Sequence, residues 1–195
     1  MLRASAFVLL IGLGSGAASA QTMVYPTYED YIQQKADTVG DFLDIYPVMG
    51  HFVLEFQHPE GVERIHTNRI WGFTFKNVLF RIRRDGHMPV RLMLKGNICY
   101  YENGLAHLEM QRDHTEEAFF AFGERSYVSK DLQSEVVPAY FPPKDKRSAS
   151  ARFVNEHPEF VGVCNCIGVL DDMDHTRQCV VDFEVAQEEQ RPPGP

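Results

Sequence analysis

Residues 71–82 read WGFTFKNVLFRI. Trp71, Phe73 and Phe75 alternate with small or polar residues, and Val78, Phe80 and Ile82 then alternate in turn. A two-residue apolar period marks a strand with one face against a core. The parity changes around Asn77. One residue of slip exchanges the two faces of a strand, so the change reads as a bulge or a break there.

Working outward, the same period holds on both sides. Phe52, Leu54 and Phe56 form a strand that ends in the turn His58-Pro59-Glu60-Gly61. Val90, Leu92 and Leu94 form another. If Phe80 and Ile82 share a face with Leu94 and Leu92, the loop between them is Asp85 to Pro89. Asn97 to Gln111 reads as two strands joined by Asn103-Gly104, a strong type I′ hairpin signal. Asp113 to Phe122 fits either a short capped helix or a strand. Ser134 to Arg152, with Pro138, Pro142 and Pro143, reads as a crossing loop, and Phe160–Leu170 with Gln178–Val185 as a final hairpin.

Toward the N-terminus the period becomes helical. Tyr28, Tyr31, Ile32, Ala36, Val39, Phe42, Leu43 and Tyr46 recur at three- and four-residue steps. Thr27 and Asp30 have capping-box spacing, and Pro47 closes the element. The expected class is therefore α+β: an N-terminal amphipathic helix packed on a curved antiparallel sheet, a meander of hairpins stapled by disulfides.

The chain has 195 residues, 44% hydrophobic and 24% charged, which excludes collagen-like and wholly disordered classes and suits one domain. Its formal charge of −8 argues against a nucleic-acid partner. Arg3, the apolar run Ala6–Leu13 and the small-x-small site Ala18-Ser19-Ala20 read as a signal peptide over 1–20. The expected domain is 21–186, with a disordered tail over 187–195. No mature segment is apolar enough for a transmembrane helix, so the expected location is the periplasm or the extracellular space.

Cys99, Cys164, Cys166 and Cys179 are an even set in a chain read as exported, so bridges are expected. A final hairpin looped at Asp171–Asp174 sets Cys166 opposite Cys179 and leaves Cys99 for Cys164. The alternative makes Cys164-Asn165-Cys166 a redox pair, but no Lys or His adjoins it in sequence to lower a thiol pKa.

Three clusters hold candidate chemistry. In the register above, Arg83 faces Arg91 and Arg81 faces Met93, with Lys95 nearby. Like charges opposed on a sheet are unfavourable, so such a basic face either receives an anion or is neutralised from elsewhere. Trp71, Phe73 and Phe75 line a ligand cavity or else fill the core. Tyr100 opposite His107, with Glu109 on the same face, has the composition of an acid–base site, although no nucleophile motif accompanies it. Asp171, Asp172, Asp174 and His175 crowd one turn but lack the Gly and distal Glu of a calcium loop, so no metal is expected, nor any other cofactor. The expected function is non-catalytic binding of an anionic or amphipathic small molecule. The alternatives are an envelope hydrolase or isomerase using His107 and Glu109, or an accessory subunit partnered with an envelope protein.

Overall fold

The computed structural model describes residues 22–103, 125–141, 145–169 and 172–190. The segment read as a signal peptide, Gly104 and the second strand of the expected Asn97–Gln111 hairpin with His107 and Glu109, the segment Asp113–Phe122, and Asp171 lie outside these residues. The elements in chain order are β1 (Met23–Tyr25), α1 (Tyr28–Ile32), β2 (Asp37–Thr38), β3 (Asp41–Val48), β4 (His51–His58) and β5 (Gly61–His66). They continue with β6 (Gly72–Phe75), β7 (Val78–Ile82), β8 (Pro89–Lys95), β9 (Cys99–Asn103), β10 (Ser126–Ser129) and β11 (Val137–Pro138). Three helices follow: α2 (Ala149–Glu156), α3 (Val161–Ile167) and α4 (Met173–Glu189). An antiparallel sheet runs β11-β10-β9-β8-β7-β6-β1-β2, and β3-β4-β5 form a second, three-stranded one. The class is α+β, but the helices are mainly C-terminal.

The expected helix over 27–46 is thus corrected to one and a half turns followed by strands. Thr27 does cap α1 through the full capping box with Asp30. Beyond it the three-residue spacing has another cause. In the β3–β4 ladder Phe42 pairs with Phe56 and Asp44 with Glu55, so Leu43 is an extra residue in a bulge. The bulge puts Phe42 and Ile45, three apart, on the face shared by Phe56 and Leu54. A bulged strand thus imitates helical periodicity. Pro47 is tolerated because β3 lies at the edge of its sheet.

The parity change at Asn77 is a hairpin turn. Lys76 and Asn77 both have positive φ, 49° and 63°, and Phe75 pairs with Val78 across them. The β7–β8 register also differs from expectation, pairing Phe80 with Arg91 and Arg81 with Val90. Met93 is an extra residue between Leu92 and Leu94, which sends these two leucines into different apolar clusters. Arg83 and Arg91 therefore do not oppose each other.

The predicted final hairpin is a helix pair. Phe160, Val163, Cys164 and Ile167, then Thr176, Cys179 and Val180, are the buried positions, and their spacing is helical. Asp172 accepts hydrogen bonds from the Asp174 and His175 amides, so the acidic turn is an N-cap. Helix α4 continues to Glu189, beyond the expected domain limit at 186.

Strands β9 and β10 are buried on both faces. Cys99, Tyr101 and Tyr127 belong to one cluster with Ile45, Leu54, Phe56 and Phe73, whereas Tyr100 and Val128 belong to another with Phe153, Phe160 and Ile167 of the helical region. The helices are tied to the sheet by two carboxylates. Glu184 of α4 accepts from the Asn97 and Ile98 amides at 3.0 Å, and a Cβ at Gly96 would lie 2.4 Å from its carboxyl carbon, so a larger residue there would displace the carboxylate. Glu102, fully buried on β9, accepts from Arg177 Nε at 2.5 Å and Nη2 at 2.9 Å.

Cys166 and Cys179 form a disulfide, with Cα atoms 5.7 Å apart, joining α3 to α4 rather than two strands. The expected Cys99–Cys164 bridge is not made. The two thiols are buried in different clusters, where neither can reach the other. Non-reducing peptide mapping should return the 166–179 bridge with two thiols that react with maleimide only in denaturant. A bridge containing Cys99 or Cys164 would contradict this arrangement. No described helix is long and apolar enough to cross a membrane.

Candidate functional site

Three residues singled out in the sequence, Trp71, Arg81 and Arg83, meet at one pocket of about 380 Å³. Strand β7 supplies Arg81, and Arg83 follows it directly. Loop 84–87 contributes Arg84 and His87, and loop 133–136 contributes Gln133, Ser134, Glu135 and Val136. Ile70 and Ile82 complete an apolar wall beside Trp71. The volume lies within the range of small-molecule sites, and the mixture of apolar wall and a few charges is typical of them.

The arginines are unusual for their burial, at 5% and 9% exposure. Arg81 Nη1 donates to the Leu132 carbonyl, and its guanidinium stacks 4.5 Å from the Trp71 ring centroid. Arg83 Nη1 donates to the Tyr127 hydroxyl at 3.2 Å, and its guanidinium sits 4.4 Å above that ring. Stacking on aromatic faces is favourable for a desolvated guanidinium. Full compensation would need a buried carboxylate, and among the described residues Arg81 has none within ion-pair distance. Arg83 meets Asp85 at 3.3 Å, but the Asp85 side chain is 94% exposed, and such pairs contribute little. Glu135, on the pocket wall, is paired with Arg152 at 3.2 Å.

Burial pushes the Arg81 guanidinium below its ordinary value, opposed by the neighbouring Tyr101 hydroxyl and Asp131 carboxylate. Since a guanidinium does not deprotonate in proteins, the cost is borne by the folded state. Three donors on residues that line the pocket, Arg81 Nε, Arg83 Nε and Trp71 Nε1, are buried out of reach of solvent without an acceptor among the described residues. Buried donors are nearly always paired, so three together is a feature requiring explanation.

The loop facing them is shaped locally. Asp131 Oδ1 accepts from the Gln133 and Ser134 amides and from the Ser134 hydroxyl, at 2.8–2.9 Å, an Asx-type turn that fixes the Leu132 carbonyl toward Arg81. Asp131-Leu-Gln-Ser was the available signal for this loop, and the sequence reading passed over it. Arg84 and His87 were likewise missed.

The other expected site residues are dispersed. Phe73 stacks on Phe80 at 5.1 Å and Phe75 meets Phe42 at 4.9 Å, both in the apolar cluster away from the pocket wall. Arg91 is half-buried opposite Glu102 on β9, and Lys95 is exposed. Tyr100 is buried, donates to Glu102 at 3.0 Å, and shares a hydrogen bond with Ser126 at 3.0 Å. Its ladder partners are Val128 and Leu94. Burial pushes the Tyr100 hydroxyl well above its ordinary value, so it stays a neutral hydrogen-bond donor. No known family model, curated protein or solved structure matches this chain.

Proposed function

We propose that this chain binds a small anionic, amphipathic molecule, its charged end between Arg81 and Arg83 and its apolar body against Trp71, Ile70 and Val136. An exported protein with no catalytic step of its own fits this reading. The observation that carries it is the pair of buried guanidinium groups among the residues that line the pocket, beside the apolar wall of Trp71, Ile70 and Val136. A carboxylate, sulfate or phosphate oxygen in the pocket offsets the desolvated charge, and a charge-assisted bond of this kind contributes about 1.5–3 kcal/mol.

Trp71 is the only tryptophan in the chain, so its fluorescence reports the pocket directly. Titration with medium-chain alkyl carboxylates, sulfates and phosphates should shift its emission, whereas alkanols of equal length should not. Arg83→Met should weaken anion binding by roughly 10- to 100-fold, and Lys95→Glu, outside the pocket, should leave it unchanged. Equal affinity for alkanols and anions, or an unaffected Arg83→Met, would remove the basis for the proposal.

A further inference from the structure

The ligating atoms of Cys166, His175 and Cys179 lie within 4.8 Å of one another, and none of the three residues lines the basic pocket. His175 and Cys179 are one turn apart on α4, the spacing at which two side chains share a helix face. Cys166 reaches them from the last turn of α3. His175 Nε2 lies 3.6 Å from Cys179 Sγ. A tetrahedral zinc ion with Zn–S and Zn–N bonds of about 2.3 and 2.05 Å separates its sulfur and nitrogen ligands by roughly 3.6 Å. That pair therefore already stands at ligand spacing.

We infer that Cys166, His175 and Cys179 form a thiol-gated site for a zinc-class divalent cation, closed while the disulfide is intact and open once a dithiol has reduced it. In the opening step the Cys166–Cys179 bond breaks, two electrons and two protons pass from the dithiol to the sulfurs, and the dithiol becomes a disulfide. The cation then displaces both thiol protons to solvent. The sulfurs move apart to about 3.8 Å, the separation set by two such Zn–S bonds.

His175 Nε2 now donates to the Cys166 carbonyl at 2.9 Å, so metal binding also requires the tautomer protonated on Nδ1. Two thiolates and one imidazole select soft or borderline cations over magnesium or calcium. Cys166 is exposed and His175 half-buried, so the fourth position faces solvent and takes water. The neighbouring carboxylates are engaged, Asp172 in capping α4 and Asp174 with Arg177 at 2.5 Å.

The test is a cobalt(II) titration of the full chain, oxidised and after dithiol reduction with anaerobic removal of the reductant, followed by zinc competition. The reduced chain should take one equivalent with thiolate-to-cobalt absorption in the near ultraviolet, and the oxidised chain none. Cys99→Ser/Cys164→Ser should bind like the parent. His175→Ala should bind at least about 100-fold more weakly, the upper end of what losing even an outer-shell partner costs. If reduction loosens the helix pair, zinc should restore the far-ultraviolet dichroism. A reduced chain that binds no cobalt, folded or not, or a His175→Ala variant that binds equally well, overturns the inference.

Discussion

Arg177→Ala should lower folding stability by about 3 kcal/mol, the low end for breaking a buried ion pair. For a chain of this size that is a Tm loss of roughly 6–12 °C. Glu102 is fully buried, and Arg177 holds it through two parallel hydrogen bonds. The arginine also donates to Asp174 at 2.5 Å, which fixes its geometry, and its hydrogen bonds to Glu102 raise its pKa above the ordinary guanidinium value. Removing it takes the bidentate cation away from a buried carboxylate. The loss stays at the low end because Tyr100 still donates to Glu102 and Arg91 lies opposite it in the β8–β9 register. Urea denaturation of Arg177→Ala and of Glu102→Gln/Arg177→Met separates the causes. The double variant has no charge to strand and should recover much of the stability. A single variant within 1 kcal/mol of the parent would show that Glu102 does not depend on Arg177.

The second large effect is alkaline. Burial pushes the Cys164 thiol from 9.0 to about 12, and burial also raises Cys99, Tyr100 and Tyr101. Each of these groups is neutral when protonated and holds its proton more tightly folded than unfolded. Their contribution is thus complete below the unfolded value and is lost as the pH rises through the folded one. For Cys164 the window runs from about pH 9 to about pH 12, and its full extent corresponds to at most about 4 kcal/mol. Stability measured by denaturation at pH 8, 9.5 and 11 should fall steadily, and Cys164→Ala should flatten the slope. Equal slopes for the two proteins would show that the Cys164 proton is not linked to folding.

Local chemistry was legible wherever the relevant partners lie within a few residues. The Thr27–Asp30 box, the turn at His58–Gly61 and the strand character of 51–58, 71–82 and 90–94 needed nothing from elsewhere in the chain. Two of the misreadings share one cause. Bulges at Leu43 and Met93 each add one residue to a strand, and periodicity cannot distinguish a bulged strand from a helix or from a straight strand in another register. In 160–185, β-branched residues and cysteines resembled strands, but their three- and four-residue spacing was that of buried helix faces. The 166–179 bridge was expected from a hairpin and is made between helices, because both geometries bring Cα atoms to bridging distance.

By itself, then, the sequence determined that this is an α+β chain with antiparallel hairpins, a buried aromatic inventory and a surplus of basic side chains on one strand segment. Turns, caps and alternation are short-range, and a few residues suffice to specify them. Tertiary structure alone decided which arginines are buried. Arg81 meets the Leu132 carbonyl 51 residues away, and Arg83 meets Tyr127 across 44. The pocket exists because β7, the loop that follows it and the distant loop 133–136 converge there. Arg81 keeps a buried charge there because no described acidic residue packs within ion-pair distance of it, a fact of three-dimensional packing that no local pattern encodes.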